Sequence, residues 1–174
     1  IAVELFTTEE EALRHKLAYE LVALNQSRKD LTLTGAQIAE KMVEAGDFAQ
    51  NKVLVIYLES LPESVAGIVA GRIKEKYHRP TIILTNSNDA RFVKGSGRSI
   101  EGYNMFQEIT AVKDLLTVFG GHPMAAGLTM PKENIELFRQ RLNEQVALSW
   151  EEMVPVLKID HIMPMDYCNM QLLE

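Results

Sequence analysis

Val53-Leu54-Val55-Ile56-Tyr57-Leu58 opens the stretch that decides the fold, and Pro80-Thr81-Ile82-Ile83-Leu84-Thr85 closes it. Each run is continuously apolar and rich in β-branched residues, as expected of a strand covered on both faces. Between them, Leu61-Pro62-Glu63-Ser64 reads as a turn, and Val65, Ile68, Val69 and Ile73 recur at helical spacing up to Tyr77. A strand, a helix and a strand within this length predict a right-handed crossover joining two parallel neighbours. The class is therefore α/β.

Moving toward the C-terminus, Asn86 to Ala90 reads as a polar turn. Arg91-Phe92-Val93-Lys94 alternates like an exposed or edge strand, and Lys94-Gly95-Ser96-Gly97-Arg98-Ser99 reads as a glycine-rich loop. Met105 to Phe119 has helical spacing, with Phe106, Ile109, Val112, Leu115, Leu116 and Phe119 expected to face inward. Phe119-Gly120-Gly121-His122-Pro123 predicts a tight turn, and Ala125 to Met130 the next strand. A last helix, opened by Pro131 to Asn134, should bury Ile135, Phe138, Leu142 and Val146. A further strand is expected over Val154 to Ile159.

Toward the N-terminus, Thr8-Glu9-Glu10-Glu11 has the form of a capping box, with acids suited to the positive end of the helix dipole. Leu13, Leu17, Leu21 and Leu24 then share one face of a helix predicted to run to about Asn25. The polar, β-branched Ser27 to Thr34 stretch predicts a break. Helical spacing resumes over Gln37 to Glu44 and is closed by Gly46-Asp47. This arm reads as a connector.

The chain has 174 residues, of which 47% are hydrophobic and 24% charged, as in an ordinary globular protein. Its single cysteine, Cys168, excludes an internal disulfide framework and fits a reducing, cytoplasmic compartment. No apolar run approaches the length of a membrane span. The chain opens in mid-pattern and stops in what reads as a helix, so a segment of a longer protein is expected. A net charge of −6 argues against nucleic-acid binding by bulk charge. Between Ala90 and Ile100, however, Arg91, Lys94 and Arg98 stand without an acid.

His15, His78, His122 and His161 show no metal-ligand spacing, and the aspartates form no pair suited to a two-metal phosphoester site. No catalytic centre and no metal site are expected in this chain. Anion binding fits better. Gly95 and Gly97 permit a backbone nest that could converge on a phosphate oxygen, Ser96 and Ser99 offer hydroxyls, and Arg98 offers a planar fork. His122 with Gly120 and Gly121 could supply a second anion contact. A base could stack on Tyr103.

Together these residues resemble the RecJ family of bacterial single-strand-specific DNA exonucleases, within the DHH superfamily. Leu24 to Lys29 resembles that family's connector helix, and Val65-Ala66-Gly67-Ile68-Val69-Ala70-Gly71-Arg72-Ile73 the first helix of its DHH-associated domain. Gly95 to Tyr103 and Phe119 to Gly127 resemble the two signature loops of that domain. The glycine-glycine-histidine stretch is shared across the superfamily. Gly-Ser-Gly-Arg-Ser followed by Ile-x-Gly-Tyr points to this family. Pro62 departs from it, standing where most members carry a histidine.

The resemblance implies a mixed β-sheet flanked by helices, of the DHH-associated domain type, with an N-terminal connector helix. It divides the chain into a connector (1–50), a DHH-associated domain (51–150) and the start of an oligonucleotide-binding domain (151–174). It implies the substrate-binding part of a 5′-to-3′ single-stranded-DNA exonuclease of DNA repair and recombination. Such an enzyme uses manganese or magnesium held in a DHH domain outside this chain, so the chain alone is expected to be inactive. Ser96, Arg98, Ser99 and His122 would hold the phosphates of the 5′ end. The expected partner is single-stranded DNA, with no membrane, and the expected state is a monomer. The alternatives are a DHH-superfamily phosphoesterase acting on short oligonucleotides, or a non-catalytic nucleic-acid-binding relative.

Overall fold

A computed structural model describes residues 1–46, 48–160, 162–164 and 167. The Asp47 part of the predicted helix stop, His161, Asp166, Cys168 and the predicted C-terminal helix lie outside the described residues. Two helices come first, α1 (Ala2–Thr7) and the 34-residue α2 (Glu11–Glu44). There follow β1 (Leu54–Tyr57), α3 (Glu63–Tyr77), β2 (Thr81–Asn86) and β3 (Phe92–Arg98). The order ends with α4 (Met105–Ala111), β4 (Val118–His122), β5 (Ala125–Pro131) and α5 (Ile135–Gln145).

The strands form one five-stranded sheet in the order β1-β2-β3-β5-β4. The predicted crossover is present: β1 and β2 are parallel, with Leu54 opposite Thr81 and Tyr57 opposite Leu84. All other pairings are antiparallel, so the sheet is mixed and flanked by helices, as expected.

Alternation along β1 and β2 explains their continuous hydrophobicity. Leu54, Ile56 and Ile83 join Val69, Ala70 and Ile73 of α3 and Ala39 and Val43 of α2 on one face. Val53, Val55, Ile82 and Leu84 join Met105 and Ile109 of α4 and Phe138 and Leu142 of α5 on the other. Each fully buried aliphatic or aromatic side chain in these layers is worth about 1.5–3 kcal/mol of transfer free energy.

Several local expectations are overturned. The α2 helix runs unbroken through Ser27 to Thr34. Thr32 turns its hydroxyl back to the Arg28 carbonyl at 2.7 Å, and Thr32, Gly35, Ala36 and Ala39 are buried. Tertiary packing outweighs weak local propensity there. At the helix start, Thr8 Oγ1 accepts from the Glu10 N–H at 3.2 Å, so no capping box reaching Glu11 forms. At its end, Gly46 takes φ +100°, the left-handed stop that glycine permits.

The predicted long helix from Met105 ends at Ala111. A 3₁₀ turn (Lys113–Leu115) follows, and Phe119 lies in β4. Ile68 and Phe106, both expected in the core, are 36% and 40% exposed. Residues 154–159 form no strand, and Val156 and Leu157 are exposed.

Candidate nucleic-acid interface

Helix α3 packs over β2 and β3, and among the described residues the β5–β4 part of that face is open, with Val118, Gly120, His122 and Gly127 exposed. Register sets what lies there. Lys94 pairs with Thr129, Ser96 with Gly127 and Arg98 with Ala125. Thr129 pairs in turn with Val118, Gly127 with Gly120 and Ala125 with His122. Three rows therefore cross β3, β5 and β4: Lys94-Thr129-Val118, Ser96-Gly127-Gly120 and Arg98-Ala125-His122.

Successive rows on one face are about 7 Å apart, and neighbouring strands about 4.8 Å. The middle row carries no side chain beyond the Ser96 hydroxymethyl. Its Gly127 and Gly120 join the Lys94-Thr129-Val118 row and Glu63, at the start of α3, in lining a hollow of about 390 Å³. Arg98 and His122 stand about 10 Å apart in the next row on the same face, on the strands either side of β5 and outside the lining of that hollow.

Arg98 is half-buried. Its Nη1 donates to the Gly97 carbonyl at 2.8 Å and to Ser96 Oγ at 3.2 Å. Other cations nearby are taken up: Arg91 grips Asp89 at 2.7 Å and Lys94 grips Glu63 at 2.8 Å. The Arg91 guanidinium holds the Asp89 carboxyl down at about 2, so that pair is ionic throughout the physiological range. Among the described residues no carboxylate lies within ion-pair distance of Arg98. The predicted three-base island thus reduces to one cation with its charge unspent. Ser96 Oγ accepts from Arg98, which leaves its own hydrogen to give. His122 Nδ1 accepts from the Met124 N–H at 3.3 Å. A neutral imidazole so engaged carries its proton on Nε2, a donor suited to an anion.

The nest expected at Gly95 and Gly97 is absent. Both glycines lie in β3, a central strand with ladder partners on both sides, so their amides serve the sheet. They are glycines for packing: a Cβ at 95 would sit 2.8 Å from Leu84 and one at 97 would sit 3.2 Å from Met105. Ser99 is also withdrawn. It is 2% exposed, and its hydroxyl donates to the Tyr103 carbonyl at 2.6 Å, holding a turn. Tyr103 is 4% exposed, so no base can stack on it, and its hydroxyl has no partner among the described residues. Burial pushes its phenol well above the usual range.

Gly120 and Gly121 lie in edge strand β4 and play different parts. Gly120 is open floor, with nothing within 4 Å of a Cβ there, whereas a Cβ on Gly121 would run into the β5 backbone. Phe106, 6.0 Å from Phe119 between ring centroids, is exposed near this end but on the opposite face of the sheet. Its helix starts against the hairpin turn, since the Met105 N–H donates to the Pro123 carbonyl at 2.9 Å. Sequence reasoning missed Glu63, which lines the hollow and pairs with Lys94.

Among the described residues, no group of three or more His, Cys, Asp or Glu is placed to hold a metal ion. Among the described residues no helix is long and apolar enough to cross a membrane.

Residues 50–148 match the model of the DHHA1 domain. The chain is 36% identical over 161 residues to the single-stranded-DNA-specific exonuclease RecJ of Bacillus subtilis, covering 91% of this chain and 20% of that protein. It is 38% identical over 139 residues to RecJ of Escherichia coli, covering 75% and 24%. The crystal structure of RecJ from Thermus thermophilus in complex with Mg²⁺ superposes with a TM-score of 0.71 at 29% identity. That match covers 82% of this chain and 22% of that one. A crystal structure of exonuclease RecJ bound to manganese gives a TM-score of 0.70, covering 34% of that chain. The chain thus spans about a fifth to a quarter of the length of the curated relatives it matches.

Proposed function

The chain belongs to the DHHA1 domain family, and from that premise we propose that its open half-sheet holds the terminal phosphate and first nucleotides of single-stranded DNA. It would do so as the substrate-binding part of a RecJ-type 5′-to-3′ exonuclease, acting on DNA in the cytoplasm. The observation that carries this reading is Arg98: a guanidinium tied to a hydroxyl and a carbonyl, with no carboxylate among the described residues to neutralise it, one row along the open face from the bare Ser96-Gly127-Gly120 row.

A terminal phosphate would take two donors from the Arg98 fork, one from the Ser96 hydroxyl and one from His122 Nε2. Such charge-assisted bonds are roughly twice as strong as neutral ones and fix orientation. The bare middle row admits a backbone close to the sheet. Holding a flexible strand in one register supplies much of what a terminal nuclease needs, since positioning alone can account for several kcal/mol of a barrier.

Related RecJ structures are described with Mg²⁺ or Mn²⁺. The described residues of this chain do not fit such an ion. On this reading the metals and the bond cleavage belong to a domain outside this chain, and the part played by these residues is to bind and orient the strand.

The test is fluorescence anisotropy at low salt with single-stranded oligonucleotides bearing a 5′-phosphate, a 3′-phosphate or neither. Tighter binding of the 5′-phosphorylated strand, lost in Arg98→Ala, is the expected result. Equal binding of all three by the wild type would overturn the assignment.

A further inference from the structure

Helix α3 carries two glycines one turn apart, Gly67 and Gly71, and both weaken the helix relative to alanine. Their surroundings differ. A Cβ at Gly71 would meet nothing within 4 Å. A Cβ at Gly67 would lie 2.6 Å from Arg98 Nη2, 3.2 Å from Arg98 Cζ and 2.9 Å from Ser96 Oγ. No core atom is among these neighbours. What occupies the notch is the guanidinium of the proposed phosphate site.

We propose that Gly67 is a positioning residue: the missing side chain is the socket that fixes the Arg98 fork between helix α3 and strand β3. Nη1 is tethered on the strand side, to Ser96 Oγ and the Gly97 carbonyl. Nη2 lies against the bare helix backbone. Two constraints on opposite sides hold a long, flexible side chain in one orientation and lower the ordering cost of each bond it forms with a ligand. A methyl group at 67 would push Nη2 about 1 Å outward to reach an ordinary contact. The obstructed atoms are the end of an arginine, so the fold accepts the change and the fork moves. A displacement of that size in a positioning group can cost on the order of 100-fold in function.

This inference rests on the phosphate-binding reading, and the experiment separates the two. The ¹⁵N-labelled chain is titrated with trithymidylate bearing either a 5′-phosphate or a 5′-hydroxyl, followed by amide chemical shifts, which report millimolar binding. Wild type, Arg98→Ala, Gly67→Ala and Gly71→Ala are compared, with a thermal melt of each.

Arg98→Ala and Gly67→Ala should each lose about tenfold or more in preference for the phosphorylated ligand, while Gly71→Ala keeps it. Gly67→Ala should melt no lower than wild type, a result a purely structural glycine would not give. In the ligand-free protein the Arg98 Nε–Hε signal should shift in Gly67→Ala and stay in place in Gly71→Ala. Retained preference in Gly67→Ala beside its loss in Arg98→Ala would overturn the socket and leave the phosphate site standing. A wild type that does not bind, or does not discriminate, or an Arg98→Ala variant that still does, would overturn both.

Discussion

The side-chain amide of Asn143 makes both backbone hydrogen bonds of Val53: Oδ1 accepts from its N–H at 3.0 Å, and Nδ2 donates to its carbonyl at 3.0 Å. One turn earlier, Arg139 Nε donates to the Val55 carbonyl at 3.0 Å. Helix α5 therefore closes the free edge of β1 much as a further strand would, without continuing the sheet.

Asn143→Ala should destabilise the chain by about 1–3 kcal/mol for each Val53 group left buried and unpaired. Leucine fills the same volume without the amide and should cost as much. Urea unfolding of both variants gives the comparison, and a wild-type midpoint for Asn143→Leu would show that the amide contributes no more than packing.

The two adjacent glycines of β4 should respond in opposite directions. Gly121→Ala drives a Cβ to 2.6 Å from the Ala126 Cα and should cost about 1–3 kcal/mol through overpacking. Gly120→Ala meets open space and should stabilise the fold by about 0.4–1 kcal/mol. Thermal melts of the pair, recorded side by side, would expose a reversed order at once.

Tyr103→Phe removes a buried hydroxyl that has no partner among the described residues and should raise stability by about 1 kcal/mol, or roughly 2–4 °C in Tm. It should also change the alkaline limb. Burial raises the folded-state pKa of the phenol, so above about pH 10 the unfolded chain releases a proton that the folded chain retains. Stability contributed by the protonated phenol is full below pH 10 and is lost as pH rises from there. Stability measured from pH 8 to 11 should fall less steeply in the phenylalanine variant than in the wild type.

Phe106 lies with Phe119 on the face of the sheet opposite Ser96, Gly127 and Gly120, so Phe106→Ala should leave the binding of a single-stranded oligonucleotide, and its preference for a terminal phosphate, unchanged when measured by anisotropy. The ring is exposed and rests on Phe119, so the fold should be little affected. A loss of affinity would show that the strand reaches round the β4 edge to the other face.

The parts of the fold readable from sequence were those where one requirement dominated. Val53 to Leu58 and Pro80 to Thr85 had to be strands because both faces are covered, and Gly46 had to end a helix. Gly95-Ser96-Gly97 misled because it lacks strand propensity. Its strand is imposed by β2 and β5 on either side, and its glycines make room for Leu84, Leu128 and Met105. Ser27 to Thr34 misled in the same way, since burial of Gly35, Ala36 and Ala39 is invisible to local propensity. Within the site, the chemistry of Ser96, Arg98 and His122 suggested itself from residue type, and register brings these three onto one face. Ser99 and Tyr103 carry equally suitable groups, and only burial withdraws them.

The long helix α2 has a mechanical consequence. Its buried residues from Thr32 to Val43 are confined to the C-terminal third, while before them only Leu17 is buried. From Ala39 back to Glu11 the rod is about 42 Å long at 1.5 Å per residue. It is a lever whose fulcrum is the Gly35–Ala39 contact with α3. A tilt of about 5° there would carry the far end through about 4 Å. Any force delivered to that end would reach α3 first, the helix whose Gly67 lies against Arg98.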